Sequence, residues 1–286
     1  MSAPPQPLDG PFRGSVAVAG GLLTPRQLRH RSWRRLFPDV YVHADLPVTH
    51  GLRARAAALL RPDAVVTGRS AAVLWGVELA GPSDDVEVTV PRGSHPLRVA
   101  GLTARRADLP ADWTCRRRGV CTTTPEATTV TLAARLPLDD AVVAVDQLVA
   151  SGMVGLEPVR VLAGRLTGRG CRQARMACAL ADGLAESPQE TRLRLLVVRS
   201  SLPRPLAQHR VYAGTRFVAR VDFGWPALRL AMEYDGLWHA EPGQFARDRR
   251  RLNRLLAAGW RVLFVTAADL HRPEELLARI AAALAA

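Results

Sequence analysis

No lysine occurs anywhere in this chain; all 39 basic residues are arginine. The absence excludes a lysine general base, and arginine cannot stand in, because a guanidinium does not give up its proton at working pH. Aromatic residues are scarce, at 5% against 48% hydrophobic overall, although 286 residues of that make-up suffice for two globular domains with real cores. Cysteine is limited to Cys115, Cys121, Cys171 and Cys178. Their spacing, without an accompanying histidine pattern, fits neither a zinc ribbon nor a disulfide framework, so they read as free thiols. No uninterrupted apolar run approaches a membrane span, and the start with Pro4, Pro5 and Pro7 lacks the order of a secretion signal. A cytoplasmic protein is the expectation. What is abundant is positive charge: the formal net charge is +13, which favours polyanionic partners. Arginine without lysine beside much alanine also looks like codon bias in a GC-rich genome, so the charge carries meaning while the choice of arginine over lysine does not.

The densest group of chemically capable residues lies between 217 and 239. In Phe217–Phe223 and Leu228–Tyr234 apolar and polar side chains alternate, and Gly224-Trp-Pro-Ala supplies a turn between them, which predicts a β-hairpin. Residues two apart share a face, so Glu233 and Asp235 are expected to point the same way, with Asp222 reaching them from the neighbouring strand. Carboxylates that share a face repel unless a hard cation neutralises them; Mg²⁺ takes one or two carboxylates and keeps waters and phosphate oxygens. A solvated hairpin edge is the plainer alternative.

Upstream, Ser187 reads as a helix N-cap, Pro188 as the first helical residue and Glu190 as the capping-box residue. Downstream, Gln244–Ala258 reads as a basic amphipathic helix, with Phe245, Leu252, Leu255 and Leu256 on one side, Arg247, Arg249, Arg250, Arg251 and Arg254 on the others, and Gly259 as its end. Trp260–Thr266 then predicts a buried strand. The order is helix, three strands, basic helix, strand, helix.

Glu190, Val221-Asp222-Phe223, Glu233-Tyr-Asp235-Gly236, Trp238-His239, Asp248-Arg249-Arg250 and Gly259-Trp-Arg-Val-Leu, taken in series, resemble the PD-(D/E)XK nuclease superfamily. Within it they are most similar to the very-short-patch-repair (Vsr-like) endonuclease group and its bacterial relatives. The resemblance implies an α/β fold, a mixed sheet flanked by helices, and Mg²⁺-dependent hydrolysis of DNA phosphodiesters, with Mn²⁺ as a possible substitute. Asp222 and Glu233 would bind the metal, Asp235 and Glu190 would support it, and His239 would transfer a proton, its alternative being a hydrogen-bonded histidine beside Trp238. The superfamily's usual lysine is missing, and Asp235 stands in its place. The Arg247–Arg254 helix would contact the nucleic-acid backbone.

Near the N-terminus, Thr24 caps a short helix with Pro25 at its first position; Arg31, Arg34 and Arg35 follow, and Leu36–Val42 reads as a strand. This resembles the helix-to-wing part of the winged-helix domain that begins AbiEi-type antitoxins, with the element between them shorter than usual. Simple packing of a small basic helix onto the next domain is the alternative. The middle region resembles the α/β part of AbiEi-like proteins, with helices at Leu52–Leu60, Ser70–Trp75, Thr128–Arg135 and Asp140–Ser151 and a strand at Val86–Val90. Thr67 begins a helix that is either merely capped or able to hold phosphate at its N-terminus. Gly164–Arg175 reads as a linker or DNA-tracking segment.

These readings give three parts: a winged-helix-like segment (1–47), an AbiEi-like α/β middle region with linker (48–183) and a Vsr-like endonuclease domain (184–286). The leading expectation is a metal-dependent DNA endonuclease of repair or defence. The alternative is a non-catalytic DNA-binding regulator or antitoxin on a nuclease-like scaffold. RNA is the other candidate polymer, since no pattern here reports on a 2′-hydroxyl.

Overall fold

In the computed structural model, which describes residues 10–95, 98–236 and 244–286, the chain forms an α/β protein of two compact units. One comprises Met1–Arg135 with Ser151–Arg175, the other Leu136–Ala150 with Met176–Ala286. Among the described residues no helix is long and apolar enough to cross a membrane.

The first unit opens with β1 (Phe12–Arg13), α1 (Gly14–Ala19), α2 (Pro25–Leu28), β2 (Trp33–Phe37) and β3 (Val40–His43), the strands forming an antiparallel sheet in the order β1-β3-β2. The Thr24 cap forms as its sequence suggests: Thr24 Oγ1 accepts from the Gln27 N–H at 3.2 Å, and the Gln27 side chain accepts from the Thr24 N–H at 2.8 Å. With four residues, α2 has just over one turn and is too short for a recognition helix. The strand expected over Leu36–Val42 is two strands. Pro38 has no N–H to pair, and Asp39 takes a φ of 59°, its carboxylate held by the Ser15 N–H at 2.7 Å and hydroxyl at 2.6 Å.

A second sheet combines β4 (Val65–Val66), β5 (Val86–Val90), β6 (Leu102–Arg106), β7 (Thr114–Arg117) and β8 (Val120–Thr123) in the order β6-β5-β4-β8-β7. Helices α3 (His50–Leu60), α4 (Gly68–Leu74) and α5 (Pro125–Arg135) accompany it. Val66, Val86, Val88 and Val90 pack with Ala54, Ala57 and Leu74 in one apolar cluster. The start of α4 is occupied from within: Glu87 accepts from the Arg69 N–H at 3.2 Å and from Arg69 Nε at 2.7 Å. Thr67 makes no side-chain cap and turns to Thr89, 3.1 Å away. The helix is therefore capped, as the plainer reading has it, but by Glu87 and not by the Thr67 hydroxyl; a carboxylate of the chain sits where a phosphate would bind. Gly68, at φ 58°, permits this, because a Cβ there would fall 1.8 Å from Glu87 Oε2.

The next helix, α6 (Leu138–Ala150), is part of the second unit, whereas α7 (Leu156–Arg165) returns to the first, and the chain passes between units within α8 (Cys171–Leu180). Gly164–Arg175 is consequently the end of one helix, a turn and the start of another, with Arg175 donating to the Leu166 carbonyl at 2.7 Å; it is not an open linker.

The second unit continues with α9 (Pro188–Arg199), β9 (Leu206–Ala213), β10 (Arg216–Trp225), β11 (Leu230–Asp235), α10 (Gln244–Ala257), β12 (Arg261–Thr266), α11 (Ala267–Leu270) and α12 (Pro273–Ala285). The sheet order is β12-β11-β10-β9, antiparallel except for the parallel β11–β12 pair, whose crossover contains α10. Alternation along β11 sends Leu230 and Met232 to a cluster with Leu193 of α9 and Ile280 of α12, and Ala231 to another with Leu255 of α10. Helices thus cover both faces. β12, expected to be buried, lies at an edge of this sheet and leaves Phe264 43% exposed. Leu256, expected on the apolar side of α10, is exposed, and the Phe245 side chain lies outside the described residues.

A fully buried aspartate fastens α6 to α9. Asp146 accepts from the Asp182 and Gly183 N–H groups, both at 2.9 Å, from Thr191 Oγ1 at 2.8 Å and from Arg194 Nη2 at 2.7 Å. Arg194 also donates to the Leu180 carbonyl at 2.7 Å. Its Nε lies 3.0 Å from Asp182 Oδ2, close enough for an ion pair but misaligned for a hydrogen bond.

Candidate functional site

The α9 N-terminus, the middle of β9–β10 and the end of β11 bring three carboxylates into one neighbourhood. Ser187 caps α9 by accepting the Glu190 N–H at 3.2 Å, with Pro188 in the first turn. The Glu190 side chain does not complete a capping box with the Ser187 N–H; its Oε2 accepts from the Glu186 N–H at 2.9 Å and from Gln208 Nε2 at 3.0 Å. Gln208 adopts a φ of 49°, a left-handed conformation uncommon for a residue with a side chain, and delivers its amide to that carboxylate.

The β10–β11 register runs from Trp225↔Leu230 to Phe223↔Met232. At the next position Asp222 Oδ2 accepts the Tyr234 N–H at 2.9 Å, so a side chain supplies the acceptor in the gap between strands. Glu233 shares the α10 face of β11 with Ala231 and is met there by Arg251, whose Nη1 donates to Glu233 Oε2 while Nη2 donates to the Arg220 carbonyl at 2.5 Å. Glu233 Oε1 is buried with no hydrogen-bond partner among the described residues.

The electrostatics are those of crowded, dehydrated carboxylates. Burial pushes Asp222, Glu233 and Glu190 above their ordinary values. The charge of Asp222 raises both glutamates further, while Arg251 draws Asp222 and Glu233 back. Burial opposes the charge of the Arg251 guanidinium more than any single partner favours it, but the bond to Glu233 together with the charges of Glu233, Asp222 and Asp248 strengthens its hold on the proton.

Asp222, Glu233 and Glu190 therefore come together, and Asp235 does not join them, standing exposed at the end of β11. His239 and Trp238 lie outside the described residues. Arg251, expected to face nucleic acid, points inward to Glu233; Arg247, Arg249, Arg250 and Arg254 are exposed on α10. Arg31, Arg34 and Arg35 are exposed in the first unit, with Arg34 donating to the Ala44 carbonyl at 3.3 Å. Residue spacing does contain a signal for Arg251: it sits four residues before the buried Leu255, on the same side of the helix. Gln208 and Arg220 carry no comparable signal.

A hard divalent cation was the expected partner of this site. Among the described residues no group of three or more His, Cys, Asp or Glu side chains is arranged to hold a metal ion. The expected set of Asp222, Glu233 and Asp235 is thus not assembled. Two carboxylates with an unpartnered buried oxygen do suit Mg²⁺, which takes one or two such ligands.

Residues 63–181 match the family model described as the AbiEi antitoxin C-terminal domain. Two uncharacterized proteins of Mycobacterium tuberculosis, Rv2248 and MT2308, are each 34% identical over 169 residues, 58% of this chain and 62% of theirs. The aligned part is less than two thirds of the length of these relatives. A crystal structure of the RV2827C protein from Mycobacterium tuberculosis aligns with 66% of this chain and 75% of its own, at 18% identity and a TM-score of 0.38.

Proposed function

We propose that this protein is a non-catalytic DNA-binding regulator of the antitoxin class. The observation that carries this reading is the match of residues 63–181 to the AbiEi antitoxin C-terminal domain. It is supported by what precedes that region: a capped α2 beside a β2–β3 hairpin that exposes Arg34 and Arg35. A formal net charge of +13 adds non-specific attraction to DNA. Because α2 is so short, backbone and minor-groove contacts from the hairpin are a better expectation than major-groove reading. The test is fluorescence anisotropy with DNA from upstream of the protein's own reading frame and with unrelated DNA, at several salt concentrations, beside an Arg34→Ala/Arg35→Ala variant. Preference for the upstream DNA, weakened broadly in the variant with a flatter salt slope, is expected. Equal binding to both DNAs, or none, overturns the reading.

A second reading, Mg²⁺-dependent phosphodiester hydrolysis, is favoured by one observation: Asp222 and Glu233 converge with raised pKa values and leave a buried oxygen unpartnered. Asp222 and Glu233 would hold the ion, Mn²⁺ serving as a probe. When bound, it would polarise a phosphodiester and lower the pKa of a water. Glu190, fixed by Gln208 and the Glu186 N–H, would keep negative charge behind Asp222, and Arg251 would stabilise charge developing on phosphate. Wild type and Asp222→Ala, both confirmed folded, are compared on supercoiled, mismatched and single-stranded DNA in Mg²⁺ and Mn²⁺. Cleavage by the wild type that is lost in the variant supports hydrolysis; binding without cleavage leaves the regulator reading standing alone.

A further inference from the structure

The β9–β10 hairpin carries two features that work against stability and lie on one face. Tyr212 and Phe217 are directly paired across the strands, in edge contact at 5.8 Å between ring centroids, and remain 49% and 52% exposed. In a chain with so few aromatic residues, a solvated pair at a hairpin tip is an unspent apolar surface. Next to it on the same face, Arg210 stands directly opposite Arg220, a like-charge cross-strand pair, which costs stability. Both arginines are exposed, and Arg220 is also paired with Glu186. Val211 and Ala219, the residues between these pairs, point the other way into the cluster with Leu255, and a register shift between Phe217 and Ala219 keeps the two outer pairs on the same side. The face is continuous with the carboxylates: Arg220 lies two residues from Asp222, and its charge acts on that carboxyl.

An exposed aromatic pair beside a double positive charge has the chemistry of an unpaired nucleic-acid strand. Bases stack on aromatic rings, which a duplex with its bases inside cannot offer them, and phosphates neutralise facing arginines. A protein partner would use the aromatic tip as well, but would leave the Arg210–Arg220 repulsion without a specific purpose. We propose that this face of the hairpin binds a single-stranded segment of nucleic acid, with Tyr212 and Phe217 stacking on bases and Arg210 and Arg220 contacting phosphates, and leads it towards Asp222. The inference rests on the reading that the protein binds nucleic acid and adds which polymer form and where.

The experiment measures binding of single-stranded DNA, single-stranded RNA and duplex DNA of equal length to the full chain as wild type, Tyr212→Ala/Phe217→Ala and Arg210→Gln. Thermal unfolding first establishes that the variants fold. The aromatic double variant is expected to lose about tenfold or more in single-strand affinity while binding duplex as before, because stacking is what it removes. Arg210→Gln is expected to weaken single-strand binding and flatten its salt slope. A Phe217→Trp variant gives a direct signature: its added fluorescence is quenched by an oligonucleotide and not by one with abasic sites. Unchanged single-strand affinity in the aromatic variant, or no quenching, overturns the proposal while leaving duplex binding intact. A wild type that binds neither form overturns both this proposal and the regulator reading. The DNA and RNA arms identify which strand is preferred.

Discussion

Two groups of buried charge in the second unit are built on opposite terms. Around Asp146, every acidic oxygen has donors: two backbone N–H groups, a threonine hydroxyl and the Arg194 guanidinium. Around Asp222 and Glu233, one backbone N–H and one arginine serve two carboxylates, a third carboxylate adds its charge from α9, and Glu233 Oε1 has no partner among the described residues. The first arrangement joins helices, since losing a partner leaves a buried charge unpaired. The second holds negative charge where the fold would be better off without it. Local cost of that kind is what functional sites carry, and it is the physical reason to look for a ligand there and not at Asp146.

The largest expected effect that would break this comparison is Asp146→Ala, which strands Arg194 and should cost about 3–5 kcal/mol in urea unfolding. A loss below 1 kcal/mol would place the Asp146 network on the same footing as surface pairs. Next, Arg251→Ala should destabilise by about 1–3 kcal/mol at neutral pH, because Glu233 loses its hydrogen-bonded partner. The deficit should narrow as pH falls and Glu233 takes up a proton.

Asp222→Asn should act in the opposite sense and stabilise by about 0.5–2 kcal/mol at neutral pH. The sign follows from burial, which raises the folded carboxyl above the ordinary 3.8. The folded state then binds a proton that the unfolded state has released, so stability declines as pH rises from 3.8 through the raised value and stays lower above it. Asparagine removes that penalty. Its advantage should therefore be fully present at neutral pH and disappear towards pH 3.8, which parallel thermal melts would record; a destabilised Asp222→Asn at pH 7 would mean that the carboxylate group is structural.

The smallest effect is a control at a satisfied surface carboxylate. Asp269, held down to about 2 by Arg279 and by the Thr266 N–H, completes the cap of α11. Asp269→Ala should cost about 1 kcal/mol, and because the folded value is depressed, that contribution should be present above 3.8 and be lost as pH falls towards 2. The opposite pH trends of Asp222 and Asp269, measured side by side, would sharpen the distinction between a strained and a satisfied carboxylate.

Much of the second unit is legible in the sequence. Alternation in Phe217–Phe223 and Leu228–Tyr234 yields β10 and β11, Ser187 with Pro188 starts α9, and Gly259, at φ 77°, follows the end of α10. Asp222, Glu233 and Glu190 were legible as a group because each sits in a recognisable element. Arg251 reads as an outer-surface residue because a helix crowded with arginine gives composition more weight than the four-residue step from Leu255, which turns it inward. The break at Pro38-Asp39 is masked in the sequence because the flanking residues alternate through it. The occupant of the α4 N-terminus was not legible at all, since Glu87 arrives there from another strand.

What the sequence determined by itself is local: which segments alternate, where helices are capped, how much positive charge the chain carries, and that arginine alone supplies it. These depend on neighbours one to four residues apart. Tertiary structure decided which helix belongs to which unit, that Asp146 of α6 meets Arg194 of α9, that Gln208 reaches Glu190, and that Arg251 faces Glu233 while Asp235 faces water. Each of these depends on which side chains burial brings together across tens of residues, where a carboxylate's energy is set by the donors that reach it and by the water that does not.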